Sequence, residues 1–149
     1  MTLVVTTFVS MIVRVATTND AVEIARLNAA FNGATCPAQE IAARLQTCSH
    51  VERVYLAEID GVVVGFACLR LFATVLYPTP YAEVSELYVE PEARRHGVGR
   101  SLLDHLTALA KAAGAEELFV MTDAENLPAR NTYARRGFEE YGLQLQLKL

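Results

Sequence analysis

Cysteine is scarce in this sequence, and what there is forms no pattern. Cys36, Cys48 and Cys68 are an odd, scattered set with no Cys-x-x-Cys pair. Such a set builds neither a disulfide framework nor a zinc knuckle, and it suits buried or half-buried thiols in a reducing compartment. His50, His96 and His105 fall at no metal-ligand spacing, so no metal is expected. A basic excess is missing as well. Thirteen Lys and Arg stand against 17 Asp and Glu, for a net charge of −4, which argues against a partner held by its nucleic-acid backbone. An acidic surface suits a cationic ligand better. Long hydrophobic runs are absent. The opening segment M-T-L-V-V-T-T-F-V-S is apolar, but it has no basic residue and is too short to span a bilayer. The expectation is a cytoplasmic protein with no membrane partner, in which residues 1–10 extend a fold whose first good strand begins at Met11. Charged residues make up only 20% against 52% hydrophobic, which excludes disorder and supplies a core for one domain over residues 1–149.

No internal repeat or low-complexity tract interrupts the chain. Met11 to Thr17 reads as a strand. Asn19 or Asp20 caps a helix carrying Val22, Ile24, Ala25 and Leu27. Pro37 suits the first turn of a second helix, to about Gln46. Two β-rich runs, 54–59 and 62–72, flank Asp60-Gly61, a strong hairpin signal. Pro78 and Pro80 break the chain before a strand from Tyr81 to Val89. Leu102, Leu103, Leu106, Leu109, Ala110 and Ala113 share one stripe of a helix over 99–113, which Gly114 can end. A strand over 118–122, a short helix over 128–136 stopped by Gly137, and one or two strands with Leu/Gln alternation over 138–149 complete an α/β order with a mixed sheet.

The segment Arg94-Arg95-His96-Gly97-Val98-Gly99 lies between the strand and the leucine-striped helix. A helix N-terminus presents unpaired N–H groups and partial positive charge, and anions bind there. Gly97 and Gly99 let backbone amides approach a phosphate, while Arg94, Arg95 and Arg100 add full charges. Other phosphate signatures fit poorly. Gly-x-x-x-x-Gly-Lys-Ser/Thr is absent, and the dinucleotide fingerprint fails because its third glycine position is Leu102. A tight strand–helix turn with solvated arginines accounts for the same residues.

The stretch L-Y-V-E-P-E-A-R-R-H-G-V-G-R-S-L-L, residues 87–103, resembles motif A of the GNAT superfamily of N-acetyltransferases, Gln/Arg-x-x-Gly-x-Gly/Ala, at Arg94, Gly97 and Gly99. The stretch N-L-P-A-R-N-T-Y-A-R-R-G-F, residues 126–138, resembles motif B at Asn126, Ala129, Tyr133, Gly137 and Phe138. By element order the resemblance covers residues 11–149; its motifs are specific over 83–138. It implies a twisted, mostly antiparallel mixed sheet of six to seven strands, flanked by about four helices and splayed at the cofactor site. It also implies acetyl-CoA, or coenzyme A, as co-substrate. The pyrophosphate falls to Arg95, His96, Gly97, Val98, Gly99, Arg100 and Ser101, with Arg94 positioning the turn. The pantetheine arm falls to the backbone of Leu87, Tyr88 and Val89, whose strand edge its amides mimic.

By the same resemblance Asn126 contacts the cofactor arm; as a residue it equally suits a helix cap. Tyr133 matches the general acid, against an ordinary place in the core. Glu86 is the candidate base, against a solvated carboxylate or a water chain. Glu83 is a second candidate, placed on the opposite face by strand alternation unless a bulge intervenes. The implied reaction moves acetyl to a primary amine of a small molecule or peptide. A non-catalytic acyl-CoA-binding or regulatory module is the alternative. Homodimers are an expectation by the same analogy, to which the alternating final strand lends itself. Phe72, Tyr77 and Tyr81 near the proline-rich loop suit a pocket wall or ordinary packing.

Overall fold

The computed structural model describes residues 10–33 and 35–149; the expectation about residues 1–10 therefore lies almost wholly outside them. Five strands form one sheet in the order β1-β2-β3-β4-β5. They are β1 (Met11–Val15), β2 (Glu52–Ile59), β3 (Val62–Phe72), β4 (Tyr81–Val89) and β5 (Phe119–Val120). The first four pair antiparallel, and β5 joins β4 in parallel. The helices are α1 (Ala21–Asn32), α2 (Ala38–Thr47), α3 (Val98–Ala112) and α4 (Leu127–Ala134), with 3-10 turns at Thr18–Asp20 and Pro91–Ala93. This is the α/β architecture expected. Among the described residues no helix is long and apolar enough to cross a membrane.

Two core layers sandwich the sheet. Ile24 and Leu27 of α1 and Ile41 of α2 cover Leu56, Phe66 and Cys68 on one face. Val98, Leu102, Leu103 and Leu106 of α3, with Tyr133 of α4, cover Tyr55, Ala67, Leu69 and Val84 on the other. The alternation along β3 produces this directly, since successive side chains point to opposite faces. Asp60 (φ 49°) and Gly61 (φ 80°) make the β2–β3 turn, the pair of positive φ angles that Asp-Gly tolerates.

An ion network fixes the start of α1. Arg14 on β1 donates to both Asp20 oxygens at 2.8 and 2.9 Å and to Glu58 on β2 at 2.7 Å. Asp20 also accepts from the Thr17 backbone N–H at 2.7 Å. Hydrogen bonds from Arg14 hold the Asp20 carboxyl down at about 2, against the cost of its burial.

The structure corrects several expectations. Among the described residues the strand count is five rather than six or seven. β5 keeps two of the five residues expected, because its ladder with β4 has two rungs and it has no other neighbour among the described residues. Residues 138–149 form no strand. Their Leu/Gln alternation makes a strand only once it is paired with a sheet edge, and among the described residues they pair with none. Val22 is exposed, and Ala21 takes its place in the α1 seam. Cys68 is buried and Cys36 half-buried, but Cys48 is exposed.

Candidate active site

The site is built where β4 and β5 part. Their ladder consists of Glu83 with Phe119 and Val84 with Val120, yet β4 runs on to Val89. From Ser85 onward the β5-facing edge of β4 has no strand beside it among the described residues. On the other side β4 stays paired to β3, with Leu87 opposite Ala67, Tyr88 opposite Phe66 and Val89 opposite Gly65. The Leu87 and Val89 side chains pack toward α3, and Tyr88 packs on the α1 face, stacked on Phe31 at 5.1 Å. Both faces of this stretch are thus anchored while one backbone edge is free, a fit for a ligand with amides along an extended arm. Gly65 makes the close approach possible: a Cβ there would sit 2.7 Å from the Tyr88 carbonyl oxygen.

The turn that follows enters α3 through two positive φ angles, Arg95 at 64° and Gly97 at 80°. Gly97 stands at the N-cap in the left-handed region with no side chain capping the helix. The first helical bond runs from the Ser101 N–H to the Gly97 carbonyl at 2.9 Å. The amides of Val98, Gly99 and Arg100 are therefore the unpaired donors of a 15-residue helix. Arg94 donates its Nε–H to the Val89 carbonyl at 2.8 Å, and its guanidinium lies 5.8 Å from the Tyr88 ring centre. It ties the turn to the end of β4. Arg95, His96 and Arg100 are exposed, Val98 is buried in the core, and Ser101 is half-buried. The structure thus brings the β4 edge and the α3 turn together, as a cradle for an extended arm ending in phosphates requires.

A β-bulge reshapes the acidic residues. Cys68 pairs with Glu86 and Leu69 with Val84, leaving Ser85 as the extra residue of β4. Simple alternation separates Glu83 and Glu86; the bulge returns both to the α1–α2 face. Arg70 Nε donates to Glu52 at 3.0 Å, and its Nη1 donates to Glu83 at 3.4 Å. The Ser85 hydroxyl donates to the same Glu52 oxygen at 2.6 Å. Glu83 is thereby buried and paired with a guanidinium. Among the described residues Glu86 has no such ion pair. Burial pushes its carboxyl above the ordinary value and the Glu52 charge adds to this, while Asn32 and Arg70 work against it.

Tyr133 lies in the α3-side core with 9% exposure, in one cluster with Val84 and Val98, against which Leu87 and Val89 also pack. Burial raises its phenol above the ordinary value. The hydroxyl has no hydrogen-bond partner among the described residues, yet it is not sealed from solvent. Asn126 caps α4, its Oδ1 accepting from the Ala129 N–H at 3.2 Å; it is exposed, at the far end of the helix from Tyr133. Tyr77 is exposed in the β3–β4 loop, whereas Phe72 and Tyr81 pack together at 5.3 Å. Glu52, Arg70, Ser85 and Gly65 were not singled out by the sequence. Gly65, a lone glycine inside a β-rich run, carried a readable signal of close backbone approach. The other three depend on register.

Residues 20–138 match the model of the acetyltransferase (GNAT) family. An uncharacterised N-acetyltransferase of Methanocaldococcus jannaschii is 32% identical over 87 residues, covering 58% of this chain and 38% of that protein. The uncharacterised N-acetyltransferase YhfO of Bacillus subtilis is 35% identical over 106 residues, covering 66% of this chain and 64% of its own length. The chain therefore aligns with less than two thirds of either relative. The aminoglycoside N-acetyltransferase AAC(6')-Iy, solved in complex with CoA, shares the fold with a TM-score of 0.81 at 20% identity, covering 97% of this chain and 98% of that one.

Proposed function

Because the chain belongs to the acetyltransferase (GNAT) family, we propose that it transfers the acetyl group of acetyl-CoA to a primary amine by direct attack on the thioester. The observation that carries this reading is the unpaired β4 edge beyond Val84, running straight into the uncapped N-terminus of α3. The residues present fit the cofactor. The backbone of Leu87, Tyr88 and Val89 offers its free edge to the pantetheine amides. The turn from Arg95 to Ser101 takes the pyrophosphate, on the unpaired amides of Val98, Gly99 and Arg100 above all, with Arg95 and Arg100 as counter-charges. Arg94 holds these two parts in register through Val89. Asn126 keeps its cap, and its amide nitrogen adds a donor toward the cofactor arm. Acetyl-CoA supplies an activated acetyl group as its thioester.

The chain's own residues handle the protons. An amine arrives as an ammonium and must lose a proton before its nitrogen can attack. Glu86, without an ion pair among the described residues and partly desolvated, accepts that proton directly or through water. The new N–C bond forms as the C–S bond breaks, and the sulfur leaves as a thiolate. Tyr133 stabilises the thiolate. A phenol of ordinary pKa about 10 transfers its proton to a thiolate of about 8.5 only uphill, by about 2 kcal/mol. Burial raises the Tyr133 phenol further, so its main role is to donate a hydrogen bond, with protonation from solvent completing the step. On the acceptor side, three carboxylates (Glu52, Glu83 and Glu86) face one guanidinium, Arg70. That balance favours a cationic acceptor, whether a small molecule or a peptide amine. The CoA-bound neighbour is named for aminoglycosides, which are polyamines of this charge class.

The test is a panel of amino acids, polyamines, aminoglycosides and peptides with free N-termini, incubated with acetyl-CoA while free thiol is followed. Amine-dependent thiol release supports the transferase reading. Tight acetyl-CoA binding with no release across the panel points instead to a non-catalytic acyl-CoA-binding module.

A further inference from the structure

We propose that a cavity under the C-terminal end of α3 binds a small carboxylate with an apolar body, at a site separate from the acetyl-CoA cradle. The cavity measures about 320 Å³, within the range of small-ligand pockets, roughly 300–1,000 Å³. It lies where β2 begins and where β3 and α3 end. Val51 and Leu71 form one wall; Leu109, Ala112 and Ala113 form the other. The two alanines have short side chains, which leaves the gap between helix and sheet unfilled. α3 is 15 residues long, so about 22 Å separate this end from its uncapped N-terminus.

Two polar groups on β2 serve this cavity, and neither is used elsewhere. Arg53 pairs in register with Leu69, and Tyr55 with Ala67, so both point to the α3 face of the sheet, while Glu52 turns to the other. Tyr55 is only 5% exposed and lines the cavity with Leu69. Its hydroxyl has no hydrogen-bond partner among the described residues, yet it is not sealed from solvent. A buried donor of this kind calls for an acceptor. Arg53 stands at the mouth with Ser49 and His50. Its Nε donates to the Ser49 carbonyl at 3.1 Å, which fixes the guanidinium and leaves its two terminal amino groups to donate. Most arginines of the chain pair with carboxylates, but among the described residues Arg53 pairs with none.

These groups select the ligand. A planar guanidinium matches a carboxylate with two parallel hydrogen bonds. Arg53 and Tyr55 are two residues apart on one strand face, about 7 Å, so long side chains from both reach one head group. No acidic residue lines the cavity. The carbonyls of Leu109, Ala110 and Lys111 already accept from Ala113, Ala115 and Gly114, so the helix end presents few free acceptors to repel an anion. The leucine, valine and alanine walls then cover an aliphatic or aromatic body. Inorganic phosphate fits poorly, because it brings more charge than one guanidinium balances and nothing for the apolar walls to hold.

The experiment titrates hexanoate and phenylbutyrate into the full, isotope-labelled chain, beside the matching alcohols, and follows backbone amide shifts by NMR. The expected result is saturable shifts at Val51, Leu71 and Ala113 that excess acetyl-CoA does not remove, with the alcohols roughly tenfold weaker. Arg53→Gln, at an exposed position, should weaken the acids by roughly tenfold and leave the alcohols as they are. Tyr55→Phe keeps the ring in the core and should weaken the acids by roughly 3- to 10-fold. Ala113→Leu, also at an exposed position, should fill the gap and abolish binding of acids and alcohols alike. Circular dichroism checks the fold of each variant. No saturable shift with either acid, shifts confined to the N-terminus of α3, equal binding of acids and alcohols, or unchanged acid affinity in Arg53→Gln overturns the proposal.

Discussion

Glu86 and Tyr133 have opposite tasks in the proposed mechanism, and burial moves both groups upward. For a carboxyl this means that the folded chain binds its proton more tightly than the unfolded chain does. Stability then falls as pH rises from the ordinary value of 4.5 through the raised one. Glu86→Gln removes that fall, so thermal melts should show the variant at least as stable as wild type at pH 8, with the difference closing below about pH 4.5. Activity should move the other way. A lost general base costs on the order of 100- to 10,000-fold, and the acidic limb of the pH–rate profile should flatten. A profile identical to wild type removes Glu86 from the mechanism. For Tyr133→Phe the loss is one hydrogen bond to a developing charge, about 1.5–3 kcal/mol, or roughly 10- to 100-fold in kcat. Acetyl-CoA affinity should not change, and an unchanged kcat at every pH contradicts the assignment.

At the scale of elements, the seams that assemble the site are local and were legible. The leucine stripe of α3, the Asp60-Gly61 turn and the strand 81–89 all follow from side-chain period or turn chemistry, and each stands where it was expected. The bulge at Ser85 was not legible, because E-V-S-E reads as plain alternation until the register with β3 is known. The grouping of Glu52, Arg70 and Glu83 follows from the same register and was hidden for the same reason. Asp20 tests the start of α1. Its carboxyl is held at about 2 by Arg14, against an ordinary 3.8, and it joins the segment before α1 to β1. A depressed carboxyl stabilises above its unfolded value and loses that contribution as pH falls through the folded one. Because Arg14 is partly exposed, Asp20→Asn should cost about 1–2 kcal/mol at neutral pH, somewhat less than linkage alone implies. Urea unfolding should show this deficit shrinking between pH 3.8 and 2; a deficit that persists at pH 2 contradicts the account.

At the scale of the whole molecule, the acidic total agrees with the cationic acceptor proposed above, and the local arginines with the proposed phosphate end. The sequence pattern marked residues 138–149 as one or two strands, but they form none, since alternation carries no information about a partner edge. The central claim is that the parted β4 edge and the α3 N-terminus together form an acetyl-CoA site. Calorimetric titration of acetyl-CoA into wild type and Gly99→Glu tests it most directly. A Cβ at Gly99 meets Val89 Cγ2 at an ordinary 3.7 Å, and an acidic residue in the first turn favours a helix. The variant should therefore fold while placing a carboxylate among the phosphate-binding amides. The prediction is one saturable site per chain in the wild type and at least a roughly 30-fold weaker site in the variant, the size of a lost hot-spot contact. No binding heat in the wild type, or equal affinity in both, contradicts it.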